Sequence, residues 1–230
     1  MAQTTTFLQL CKNTRQEAGI QGQGPVSVLG RSGIEKKIVD WVAASWTDIQ
    51  RMHKDWLLMA TGFSFETSVG IDRYSIATTT GLTGMSSIDP TLMTAYLTSA
   101  GKADEYQLQY QPDYASWRRS YDIGVATNGK AAGICFSPSD ELIVYPPPDG
   151  AYTIRGEGRK SPQVLAANET VIAIDDEYVN AILWKAVRQL AGDQESPALY
   201  VHADSNYDEI VRRMEMELLP TFKNYTSPLA

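Results

Sequence analysis

The residue types that most often do chemistry are sparse in this chain and poorly spaced for it. Only two histidines, His53 and His202, stand among 230 residues. Neither belongs to an HExxH array, and no Cys or carboxylate lies at the spacing a zinc site needs. Cys11 and Cys135 are far apart and match no metal or redox spacing, so both read as small buried hydrophobes. Gly62-Phe-Ser64-Phe-Glu66 lacks the second glycine of a nucleophile elbow. Gly156-Glu-Gly158-Arg159-Lys160-Ser161 looks like a phosphate loop until Arg159, where that motif requires glycine, and no helical pattern follows. Gly22-Gln-Gly24-Pro25 fails as a dinucleotide fingerprint because no strand precedes it and the third glycine is absent. Asp104-Glu105 and Asp140-Glu141 could do acid–base hydrolysis only if the fold set carboxylates face to face; as they stand they read as solvated loop charges. The expectation is no catalytic, cofactor-binding or metal-ligating residue, and no enzyme.

Composition narrows the class further. The chain is 43% hydrophobic and 20% charged, an ordinary globular balance. Its net charge of −7 argues against a protein that grips nucleic acid through a basic face. The first 60 residues are slightly basic and the remainder acidic. No stretch approaches the roughly 20 apolar residues that span a bilayer, and the N-terminal stretch is not expected to act as a signal peptide.

What the sequence does specify is helix. From Gly33 to Leu57 apolar residues recur at Ile34, Ile38, Trp41, Val42, Ile49, Met52 and Trp56, one face of a 3.6-residue period. Val39, Trp46 and His53 add a flanking stripe. So wide an apolar arc must be covered on more than one side: either its tryptophans pack in the chain's own core, or one stripe faces that core and the other a neighbouring subunit, with Trp41, Trp46 and His53 as the candidate contacts. Ser32 and Glu35 have capping-box spacing at its start. Residues 5–18 predict a shorter helix, with Thr6 and Gln9 at the same spacing. Near the C-terminus, Asp175-Asp-Glu177 places negative charge where a helix start favours it. Val179 to Leu190 then hold an apolar stripe that Gly192 stops. Pro197 opens a last helix that Pro220 ends.

Between these helices the period changes to two. Phe63 to Val69 and Tyr74-Ser-Ile76 read as a hairpin. Residues 77–90 read as a long Thr/Ser/Gly loop. Asp89-Pro90 could open a short helix through Leu97, and Asp113 to Ser120 another. Ile123 to Ala126 suggests a strand, turned by Asn128-Gly129 into a second at Ala132 to Phe136. Leu142 to Tyr145 and Tyr152 to Arg155 read as strands joined by the Pro146-Pro-Pro-Asp-Gly150 turn. The predicted fold class is α+β. A four-helix bundle forms from the N- and C-terminal helix pairs, residues 1–60 and 175–219. A mainly antiparallel β domain, 61–174, is inserted between them, and an extended tail, 220–230, follows.

Three features together resemble a known family. They are Val39-Asp-Trp41-Val42 with Trp46-Asp48-Ile49-Gln50 on the long helix; Leu142-Ile-Val-Tyr145-Pro-Pro-Pro-Asp149 with Tyr152-Thr-Ile154; and Ile174-Asp-Asp-Glu-Tyr178 before the paired C-terminal helices. The arrangement resembles the head-to-tail adaptor, or connector, proteins of tailed bacteriophages, most of all those of short-tailed phages. The resemblance implies a non-enzymatic virion protein of the neck, assembled in the host cytoplasm. It implies a ring of about twelve copies under the portal protein, consistent with closed heterologous contacts. Such a ring extends the channel through which double-stranded DNA passes without specific binding, and offers a platform to tail nozzle or fibre proteins. It also implies that the C-terminal segment reaches the portal, with Phe222, Tyr225 and Leu229 as anchors, and that no cofactor or membrane is involved. Rival expectations are a virion-associated peptidoglycan hydrolase, another neck or tail-terminator component, and a carbohydrate-binding tail module using residues 77–90.

Overall fold

A computed structural model describes residues 3–220 of the chain. Among them are five α-helices and eight strands in two mainly antiparallel sheets, so the class is α+β. Two compact units are built from them. Ala60–Ser161 holds the strands, and the chain on either side of it supplies the other unit.

Helix α1 is Phe7–Glu17, and Thr6 caps it by accepting from the Gln9 N–H at 3.3 Å. Helix α2 is Gly33–Met52, shorter than expected from the apolar spacing. Its end is set by His53, which is extended, and by Trp56, which folds back under the helix. The Trp56 indole N–H donates to the Ile49 carbonyl at 2.8 Å. An apolar side chain that recurs at helical spacing thereby caps the helix from outside it, satisfying a terminal carbonyl. The capping box at Ser32 does not form. Ser32 makes no side-chain cap bond, and Glu35 is taken instead by Arg15 at 3.1 Å and Arg31 at 3.6 Å.

Helix α4, Val179–Asp193, packs against α1, α2 and α5, which is Pro197–Leu218. Its buried residues include Ile182, Ala186, Val187 and Leu190, spaced as one face of a helix. Lys185, nearly buried, reaches Asp48 on α2 at 3.1 Å, and Arg188 reaches Asp204 on α5 at 2.7 Å. The expected acidic helix start is corrected: α4 opens only at Val179, and Asp176 has another partner, described below. The stop at Gly192 also slips, since the turn is completed by Glu195 at a positive φ of 51°.

The strands are β1 (Ala60–Glu66), β2 (Arg73–Ser75), β3 (Met85–Leu97), β4 (Tyr106–Gln107), β5 (Gln109–Tyr110), β6 (Gly133–Ser137), β7 (Glu141–Tyr145) and β8 (Tyr152–Lys160). One sheet runs β1-β8-β3-β4 and the other β2-β7-β6-β5. Phe63, Phe65, Met93 and Ile154 from the first share a buried cluster with Tyr74, Ile134, Leu142 and Val144 from the second. Helix α3, Tyr114–Tyr121, is capped by Asp113 and lays Trp117 over Cys135 and Ile143.

Two local expectations fail because strands close in sequence join different sheets, and two more fail otherwise. The predicted hairpin at 63–76 does not form, because β1 pairs with β8 and β2 with β7. The proline-rich turn likewise carries the chain from β7 in one sheet to β8 in the other. The predicted helix at 89–97 is part of β3. There Asp89 does accept from the Thr91 N–H at 2.9 Å, but it closes a bulge in the strand, where Pro90 sits without breaking a ladder. Asn128-Gly129 turns no hairpin: Gly129 bridges to Pro148, and Ile123 to Ala126 pairs with nothing. Gly81, at φ +94°, runs along the edge of β1 so closely that a Cβ there would stand 2.1 Å from the Ser64 carbonyl oxygen. That loop covers an edge that would otherwise be open to pairing with other chains.

Candidate functional site

The chemistry-bearing residues lie apart. His53 sits at the end of α2 with Nε2 2.8 Å from Glu215 and its ring edge-on to Trp56 at 4.8 Å. His202, on α5, lies edge-on to Trp184 at 5.2 Å. Cys11 and Cys135 are both buried, and burial pushes the Cys11 thiol up to about 12. Glu105 accepts from Thr94 Oγ1 at 2.6 Å and pairs with Arg155 at 3.5 Å, and Glu141 pairs with Arg73 at 3.4 Å. The glycine-rich stretch at 156–161 is mostly strand β8. Gly158 is required there because a Cβ would stand 2.4 Å from the Ser87 carbonyl oxygen, so the close approach is to a neighbouring strand.

Three clefts measure about 420, 550 and 580 Å³. The first lies over β1 and β8 between Leu92, Arg155 and Glu157. The second is lined by carboxamides of Gln9, Asn13, Gln16, Gln21 and Gln23. The third runs beside Glu66, Tyr74 and Thr79. None of their linings includes a His or Cys, the groups best suited to nucleophile or base. Among the described residues, no three His, Cys, Asp or Glu are grouped to hold a metal, and no helix is long and apolar enough to cross a membrane.

What the structure offers instead is surface and the fastenings beneath it. Trp46 is fully buried, its indole N–H donating to Gln163 Oε1 at 3.0 Å. Gln163 also donates its backbone N–H to Gln50 at 2.7 Å and its side chain to the Val171 carbonyl at 2.7 Å. Trp46 thus anchors the segment that leads back from β8. Trp41 is half-buried under Lys37, whose ammonium lies 5.8 Å from the ring centroid and 2.7 Å from Asp193. Phe222, Tyr225 and Leu229 lie outside the described residues.

Two features were not read from the sequence. One is the clasp at the start of the chain. The hydroxyls and backbone N–H groups of Thr4 and Thr5 all donate to the Asp176 carboxylate, at 2.6–3.2 Å. The Thr4 hydroxyl contributes most to holding that carboxyl down, at about 2. Only the acidic run before α4 hinted at it. Close by, the Tyr178 hydroxyl donates to Glu217 near the end of α5, and that bond raises the Tyr178 pKa.

The other is an aromatic seam on α3 and β7. Tyr114 stacks on Trp117 at 5.7 Å, Tyr121 stacks on Tyr145 at 4.7 Å, and the Arg73 guanidinium lies 5.7 Å from the Trp117 ring. The seam ends in an exposed apolar arch at Ile123 and Val125.

No curated protein matches this chain. Residues 5–228 match the family model described as SU10 adaptor protein, so that over nearly its whole length the chain belongs to that family, in agreement with the phage head-to-tail adaptor resemblance read from its sequence.

Proposed function

We infer that the protein is a structural component of the virion neck, forming a ring of about twelve copies between portal and tail. The observation that carries this reading is the family match across residues 5–228. In this reading α1, α2, α4 and α5 act as a four-helix bundle whose outer stripes meet the next copy. Trp41 and His53, half-buried in one copy, are the contact residues, and the buried Trp46 supports that stripe from beneath. The strands of the β unit serve as the inserted domain on which tail nozzle or fibre proteins dock. The tail, with Phe222, Tyr225 and Leu229, orders on the portal protein; aromatic anchors suit binding of that kind.

The electrostatics agree with a channel wall. A chain of net charge −7 repels phosphate, so double-stranded DNA passes without being held. The relation to short-tailed phages is part of the same proposal, as is assembly in the host cytoplasm. The test is to mix the purified chain with isolated portal at micromolar concentration and image the complex by electron microscopy. A coaxial ring on the portal is the expected result; portal left undecorated overturns the reading.

A further inference from the structure

Residues Arg118 to Asn128 form an unbroken exposed run in the β unit. Its apolar side chains stand in water: Tyr121 is 55% exposed, Ile123 78% and Val125 100%. Tyr121 closes α3 and stacks on Tyr145, whereas Ile123 and Val125 lie in irregular chain that joins neither sheet. Both feet of this arch are tied to its own unit. Asp122 accepts from Arg73 at 3.4 Å, and Gly129 donates to the Pro147 carbonyl at 2.9 Å. Burying three such side chains removes roughly 300 Å² from water, well short of the ~800 Å² per partner of a stable interface. The arch is therefore one contact among several, of the kind that forms when copies are gathered.

Charge indicates what it meets. Arg118 and Arg119 precede the arch, both exposed, on a chain of net charge −7; Arg118 also reaches Asp122 at 3.7 Å, so Arg119 is the cation left to a partner. The complement is an apolar patch beside carboxylates, and α5 carries one. Tyr200 and Val201 are exposed near its start, and Asp208 and Glu209 are exposed two turns on. Positions 201, 204, 205 and 208 share one helix face.

We propose that the 121–125 arch of one copy docks on the Val201–Asp208 face of α5 in a second copy of this chain. The contact joins unlike surfaces, so it repeats head to tail and suits a closed ring. It rests on the ring reading above and names the partner surface within it.

The test uses full-length chains carrying Val125→Cys or Val201→Cys, mixed under mild oxidation; native Cys11 and Cys135 are buried. The mixture should cross-link about tenfold faster than either variant alone, because docking raises the effective concentration of the pair. Arg118→Glu with Arg119→Glu in the Val125→Cys chain should return the rate to that of the controls. Adding Asp208→Arg with Glu209→Arg to the Val201→Cys partner should restore it, with far-UV circular dichroism unchanged throughout. A mixture no faster than its controls, or reversal without rescue, overturns the contact. So does a Val125→Cys chain whose thiol is shielded only in the finished virion, which would put a different protein on the arch. Rings on portal without this cross-link sink the contact and leave the ring. The cross-link without rings on portal does the reverse.

Discussion

Asp176 shows how much a single side chain holds here. It gathers four donors from Thr4 and Thr5, which lead into α1. Its pKa is depressed from the ordinary carboxylate value to about 2. Its contribution to stability is therefore full above pH ~4 and is lost as pH falls toward about 2. Asp176→Asn should flatten the fall in melting temperature between those pH values relative to the parent, read by differential scanning fluorimetry. Parallel curves would show that the clasp carries no stability. Gly81 is the second such position. Its backbone has a positive φ and passes against the Ser64 carbonyl, so Gly81→Ala is strained twice, by conformation and by clash. We expect it to lower stability by about 2 kcal/mol or more in urea unfolding. A loss within about 0.5 kcal/mol would mean the loop does not seat on β1.

At the scale of the element, α3 depends on Trp117. The helix is only eight residues long, too short to persist without tertiary packing. Trp117 is its one buried residue, set against Cys135 and Ile143 and bracketed by Tyr114, Tyr145 and Arg73. Trp117→Ala should cost about 3–5 kcal/mol in chemical denaturation and weaken the near-UV circular-dichroism signal. Full near-UV signal with unchanged stability would contradict this placement. The same scale shows what a sequence can and cannot tell. The helices were legible because each buries one face against its neighbours, and periodicity records that directly: Ile38, Val42, Ile49 in α2 and Ile182, Ala186, Leu190 in α4. Individual strands were legible at β6 and β7, where burial is nearly continuous. Pairing was not. Adjacent runs such as 63–66 and 73–75 carry no mark of which sheet they join, and local turn signals at Asn128-Gly129 and Pro146–Pro148 pointed to hairpins that long-range pairing overrides. Asp89-Pro90 has the chemistry of a helix start and of a strand bulge alike, and only the alternate burial of Met93 and Ala95 separates them. Of the candidate contact residues, spacing alone could not distinguish Trp46, which the chain buries for itself, from Trp41 and His53, which it leaves half open.

At the scale of the whole molecule, the proposed neck role makes one chain both a folded body and a part that meets others. The folded body is self-sufficient in its cores, while apolar groups such as Ile123, Val125 and Val201 remain in water. Deleting Thr221–Ala230 should abolish docking on isolated portal and leave the helical circular-dichroism signal intact. Docking at the parental level would remove the tail from the assembly.

The central claim concerns place, and it is tested most directly by a low-resolution projection of the purified virion neck with this chain labelled. The account predicts label in a closed, axially symmetric layer directly beneath the portal and around the DNA path. Label on tail fibres, inside the capsid or at a single off-axis position would contradict it.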